Sequence, residues 1–175
     1  MLLRKSLLAL SGAVLLSGCQ AAPKALQTVD YVDLERFMGD WYVIANIPTF
    51  VEKGAHNAVE SYQLDEDGTI ATTFTFRKDA FDGPEKQYHP RGFVRDTKSN
   101  AEWGMQFVWP FKGDYRIIYL ADDYSTTIIG RNKRDYVWLM ARSPEMSDGE
   151  YRRAMQFIES VGYDVSDVQR VPQEW

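Results

Sequence analysis

The chain has 175 residues, carrying 20 Lys and Arg against 25 Asp and Glu, with two histidines and a single cysteine. That length supplies one domain with a sizeable core. A net charge of −5 without a Lys/Arg cluster argues against nucleic acid or an anionic membrane surface as an electrostatic partner.

At the N-terminus, Arg4 and Lys5 precede an apolar run from Leu7 to Leu16. A short basic region followed by such a run is the pattern of an export signal, and it falls short of the roughly 20 apolar residues that cross a bilayer. The run ends in Leu16-Ser17-Gly18-Cys19, which resembles the bacterial lipobox, where the cysteine is acylated and becomes the first residue. The alternative is a plain secretory signal that happens to precede a cysteine. Cys19 is the only cysteine, and lipidation would consume a thiol otherwise left free in an exported protein. Gln20, rather than Asp, after the cysteine implies by the same resemblance sorting to the outer membrane. Residues 1–18 are thus expected to be a removed signal, and losing Arg4 and Lys5 takes the net charge from −5 to −7. Residues 19–29 are expected to form the lipidated end and a mobile tether, and 30–175 the folded domain.

The next hundred residues read as strand after strand. Trp41 to Phe50 is a β-rich run that closes on a proline bend. Residues 56–64 and 69–77 flank Asp65-Glu66-Asp67-Gly68, a hairpin signal, with Ile70, Thr72, Phe74 and Phe76 on one face. Gln87 to Arg95 predicts a fourth strand weakened by Pro90 and Gly92. The clearest alternation is Trp103, Met105, Phe107 and Trp109 against Glu102, Gly104 and Gln106. A turn over Pro110–Asp114 leads to Tyr115–Leu120, and then to Thr126–Gly130 and Tyr136–Ala141. Ser147 and Glu150 have capping-box spacing. The stripe Tyr151, Ala154, Met155, Ile158 and Val161 predicts a helix packed outside a sheet, in preference to one that binds a partner. Asp164 to Pro172 adds a short last strand.

About eight antiparallel strands with short connections suit a closed barrel, which abolishes sheet edges. Periodicity alone leaves a two-layer sandwich open.

Gly39-Asp40-Trp41, after a short helical stretch over Asp33 to Met38, resembles the Gly-x-Trp signature of the lipocalins. Asp122-Asp123-Tyr124 approximates the family's middle block, and Tyr136-Val137-Trp138-Leu139-Met140-Ala141-Arg142 resembles its last one. The similarity spans roughly residues 30–173. With the lipobox it points to the bacterial outer-membrane lipocalins, relatives of apolipoprotein D. The resemblance implies an all-β fold: an eight-stranded antiparallel up-and-down barrel with one C-terminal α-helix packed outside. It also implies that Trp41 closes the barrel floor under Arg142, so that Gly39, Trp41 and Arg142 are structural.

In such a barrel, Tyr62, Phe74, Phe76, Trp103, Met105, Phe107, Trp109, Tyr115 and Tyr119 are the residues expected to line the lumen, although the register of 115–120 is ambiguous. That apolar, aromatic surface suits a lipid or another small hydrophobic ligand. Glu60 shares the face of Tyr62. It is expected to be hydrated near the mouth, the alternative being contact with a cationic headgroup. His56 and His89 lack metal-ligand spacing, no Gly-x-Ser-x-Gly elbow or phosphate loop exists, and no cofactor, metal or catalytic residue is expected. The expected partners are lipid and, through Cys19, the membrane, with a homodimer admitted and nucleic acid not. The functional expectation is a membrane-anchored carrier of lysophospholipids or fatty acids in the cell envelope. The alternatives are an envelope interaction protein with a filled barrel and, less favoured, a lipid-modifying enzyme on the same scaffold.

Overall fold

The computed structural model describes residues 25–175, so the expected signal and Cys19 lie outside the described residues. The strands are β1 (Gly39–Asn46), β2 (Ala55–Leu64), β3 (Thr69–Lys78), β4 (Glu85–Tyr88), β5 (Arg91–Val94), β6 (Glu102–Val108), β7 (Phe111–Leu120), β8 (Thr126–Gly130), β9 (Val137–Ala141) and β10 (Gln169–Arg170). A short helix α1 (Leu34–Phe37) precedes them, and α2 (Asp148–Ser160) follows β9.

Every ladder is antiparallel, and β9 returns to pair with β1, closing the sheet into a barrel. The predicted fourth strand is present as β4 and β5, both against β3. Their register is continuous, with Phe74 opposite Tyr88 and Ile70 opposite Gly92, so they are two halves of one barrel strand and the barrel has eight. Proline explains the interruption, since Pro90 has no N–H to give the ladder. Its carbonyl still accepts from the Thr72 amide at 3.1 Å.

The period-two pattern sorts the side chains onto two faces. Inward-facing Trp41, Tyr62, Ile70, Phe74, Trp103, Met105, Tyr115, Ile117 and Met140 form the internal core with Phe37 of α1. Phe37, Trp41 and Trp103 are fully buried at the closed end, each removing ring surface worth roughly 4–6 kcal/mol of gross transfer free energy. A second cluster lies outside, where α2 packs Ile158, Ala154 and Met155 on Ile118, Ile128 and Leu139. The helix starts where predicted. The Ser147 hydroxyl accepts from the Glu150 amide, and Glu150 Oε2 accepts from the Ser147 amide at 3.0 Å.

Several expectations are corrected. Residues 25–29 are packed on the domain rather than a mobile tether. Leu26 is buried, its amide donates to Asn132 Oδ1 at 2.8 Å, and the Val29 amide donates to the Ile117 carbonyl at 3.0 Å. The predicted last strand is only Gln169–Arg170, because Val165–Asp167 forms a 3₁₀ turn. The following tail extends along the end of β1: the Val171 amide donates to the Ile44 carbonyl at 3.0 Å, and Gln173 Nε2 to the Val43 carbonyl at 2.8 Å.

Two expected lumen residues lie elsewhere. Strand β7 bulges between Ile117 and Tyr119, and one extra residue reverses the alternation beyond it. Tyr119 therefore faces outward, 39% exposed, with its ring 5.6 Å from that of Phe157 on α2. Trp109 lies beyond the end of β6, in the turn to β7, and is 82% exposed.

Candidate functional site

Opposite the floor, the barrel holds a cavity of about 420 Å³, within the roughly 300–1,000 Å³ range of small-molecule sites. Strands β3, β6 and β7 line it with Phe74, Met105, Phe107 and Tyr115, four of the residues expected from the alternation. Phe107 is half exposed at its edge. The other three inward rings close the space without lining it. Tyr62 and Trp103 pack edge to face with centroids 5.9 Å apart, Trp103 stacks on Tyr115 at 5.0 Å, and Phe76 lies 5.2 Å from Phe74.

The rest of the wall comes from residues that carry no periodic signal. The β1–β2 loop contributes Thr49, Phe50, Val51 and Glu52, β4 contributes Tyr88, and β9 contributes Trp138. Phe50, Val108, Trp109 and Phe111 are strongly exposed on the loop and hairpin at this end of the barrel.

Glu52 is 5% exposed, and such a carboxylate is tolerable only when its lone pairs are used. It accepts from Asn46 Nδ2 at 3.3 Å, the Thr49 amide at 2.8 Å and Trp138 Nε1 at 2.7 Å. These bonds fix the loop against β1 and β9 and so shape that side of the cavity. Tyr136–Ala141 is apolar or aromatic at every position, so no alternation marked Trp138. Nothing local marked Glu52.

Glu60 sets the electrostatics. It is partly exposed and lines the cavity beside Tyr62. Desolvation pushes its carboxyl up to about 7, opposed by a hydrogen bond from Tyr62 and reinforced by the charge of Glu52. The Tyr62 hydroxyl bonds Glu60 Oε2 and lies 2.8 Å from that of Tyr115. Burial holds both phenols well above their usual range, so they remain hydroxyls. Glu60, expected to be hydrated near the mouth, lies on the cavity wall with its Oε2 taken by the Tyr62 hydroxyl.

At the floor, Trp41 donates through Nε1 to the Phe37 carbonyl at 2.8 Å, and Arg142 covers its ring with Cζ 3.8 Å from the centroid. Gly39, at φ +90°, turns the chain from α1 into β1. Among the described residues, no group of His, Cys, Asp and Glu is arranged to hold a metal ion, and no helix is long and apolar enough to cross a membrane.

The family described as "Lipocalin-like domain" matches residues 32–173, the barrel, its floor and the outer helix together. The chain belongs to that family. The lipocalin is 29% identical over 159 residues to temperature-induced lipocalin-1 of Arabidopsis thaliana, covering 86% of this chain and 84% of that protein. It is 27% identical over 161 residues to outer membrane lipoprotein Blc of Escherichia coli K12, covering 90% of each. Bovine apolipoprotein D is 28% identical over 120 residues, covering 64% of this chain and 61% of that protein. Among solved structures, insecticyanin from the tobacco hornworm superposes with a TM-score of 0.66 at 13% identity, covering 85% of this chain and 84% of that one. A cockroach allergen, Per a 4, gives 0.63 at 15% identity, covering 88% and 97%. At those identities the structural likeness establishes the fold.

Proposed function

We propose that this lipocalin binds a single-chain lipid in the barrel cavity and stores or carries it at the outer membrane, to which acylated Cys19 anchors it. The observation that carries the reading is the cavity itself: about 420 Å³, walled by Phe74, Met105, Phe107, Tyr115 and Trp138. Apolar walls supply the driving force for an acyl chain, and the few polar groups fix its orientation. Lysophospholipids and fatty acids are the preferred cargo. Similarity to proteins named outer membrane lipoprotein supports the location, as does the lipobox-like Leu16–Cys19. A filled barrel acting only through its surface is less well supported, because this cavity is open.

The test is native mass spectrometry of the mature chain carrying Cys19→Ser, incubated with lysophospholipid or fatty acid. One lipid per chain, saturating in the micromolar range, is expected, and no binding at that concentration refutes the reading. In cells, Cys19→Ser is expected to move the protein from the membrane fraction to the soluble one.

A further inference from the structure

The inner end of the cavity is chemically unlike its walls. Tyr62 has one hydroxyl proton, and Glu60 Oε2 takes it, so in the 2.8 Å contact between the phenols Tyr115 is the donor. The chain therefore runs from Tyr115 through Tyr62 to Glu60. With Glu60 ionised, all its donors are spent, and it ends on a carboxylate. Among the described residues Glu60 hydrogen-bonds only through Oε2, while its side chain lines the cavity.

Three other charged side chains and two phenols face this space. Glu52 has its three donors. Asp114 accepts from Arg116 Nε at 3.3 Å and the Asn132 amide at 2.8 Å, and Arg131 lies 3.4 Å from Asp135. Tyr88 and Tyr115 complete the set. Glu60 is thus the acid with an acceptor left over. Two other lining residues carry a buried polar atom without a hydrogen-bond partner, Thr49 at Oγ1 and Arg131 at Nε, the latter within 3.4 Å of Asp135.

We propose that this end of the cavity is an ammonium site: a single-chain amphiphile with a terminal primary amine enters head first and donates its N–H groups to Glu60. A fatty-acid anion in the same pose would meet an acceptor with no donor to spare. The inference rests on the cavity-binding reading and specifies the headgroup class.

Glu60 also makes the site pH-sensitive. Its carboxyl is pushed up to about 7, whereas a primary amine stays charged to roughly pH 10. Tyr62 and Tyr115 stay protonated throughout this range. Binding the ammonium requires the carboxylate, so it releases the Glu60 proton and tightens as pH rises through 7.

Dodecylamine, dodecanol and dodecanoate serve as probes, titrated calorimetrically into the mature Cys19→Ser chain at pH 6, 7 and 8, in two buffers of different ionisation enthalpy. At pH 8, dodecylamine is expected to bind at least about tenfold tighter than dodecanoate. Its affinity should rise about tenfold from pH 6 to 8, with release of about half a proton at pH 7. Glu60→Gln should weaken dodecylamine about tenfold and leave dodecanol within about threefold. Dodecanol binding without amine preference overturns this inference alone, as does amine affinity unchanged by Glu60→Gln. Failure of all three probes to bind overturns the cavity reading as well. Should Glu60→Gln not fold, absent proton release in the wild-type chain still overturns the proposal.

Discussion

Arg142 covers the face of Trp41 at 3.8 Å and donates to the main-chain carbonyls of Arg36, Phe37, Met38 and Asp40 at 2.7–3.0 Å. Those carbonyls include the unpaired end of α1, so one cation caps the helix and seals the floor. Gly39 fits the same arrangement, since a side chain there would start 3.4 Å from Arg142 Nη1 on a backbone with φ +90°. Arg142→Ala removes the cation–π contact and leaves carbonyls without a donor. A loss of about 2–4 kcal/mol is expected, read as a fall of roughly 5–15 °C in Tm, with lipid affinity changed much less. An unchanged Tm would refute the role.

Glu60 makes stability depend on pH with a defined sign. Its carboxyl is raised from 4.5 to about 7 in the folded protein, so between those values the folded state binds more protons than the unfolded one. Stability therefore falls as pH rises from about 4.5 through 7 and levels off above. The contribution is at most roughly 3 kcal/mol, reduced to the extent that cavity water solvates the group. Denaturant unfolding of wild type and Glu60→Gln across pH 4.5–8.5 isolates it. The difference between the two should grow in favour of the variant with increasing pH, and a constant difference contradicts the assignment.

Gly130 lies where the N-terminal segment crosses β8. A Cβ there would come 2.7 Å from Leu26 Cδ2, 2.7 Å from the Tyr163 hydroxyl and 3.0 Å from Ile118 Cδ1. The Tyr163 hydroxyl is itself held by the Arg131 amide at 2.8 Å. Gly130→Ala is expected to cost about 1–3 kcal/mol through overpacking, measured as a lower urea midpoint. An unchanged midpoint would mean that Leu26 is not docked there.

Gly113 offers a way to fill the cavity without disturbing the core. It lines the space, and a Cβ would meet only the Met105 carbonyl, at 3.5 Å. Gly113→Leu is expected to lower lipid affinity at least about tenfold while Tm moves by a few degrees. Tyr119→Ala, on the outer face, should leave affinity unchanged. If the two variants traded effects, the inner and outer faces of β7 would be misassigned.

The barrel was legible because alternation and turn chemistry agree along most of the chain. Ile70 to Phe76 and Trp103 to Phe107 turn inward as their spacing requires. Sequence reasoning failed where one residue changed the phase or a strand stopped. The bulge after Ile117 turned Tyr119 toward Phe157, and the β6–β7 turn took Trp109 out of the wall. Neither bulge nor turn onset has a period. The cavity was legible only in part, because much of its wall is the loop from Thr49 to Glu52, which tertiary hydrogen bonds to Asn46 and Trp138 hold in place. Leu26 shows the same limit, since a lone leucine in a short segment without periodicity announces no partner.

Trp138 lies on the cavity wall, whereas Trp109 is exposed at the turn, so tryptophan emission reports directly on where a lipid sits. The deciding measurement is quenching by a lysophospholipid with a brominated acyl chain, in the mature Cys19→Ser chain and in the same chain with Trp138→Phe. Saturable quenching at one lipid per chain, reduced in the Trp138→Phe variant, is the expected result. Quenching that survives Trp138→Phe undiminished, or that never saturates, would place the lipid outside the barrel and contradict the proposed function.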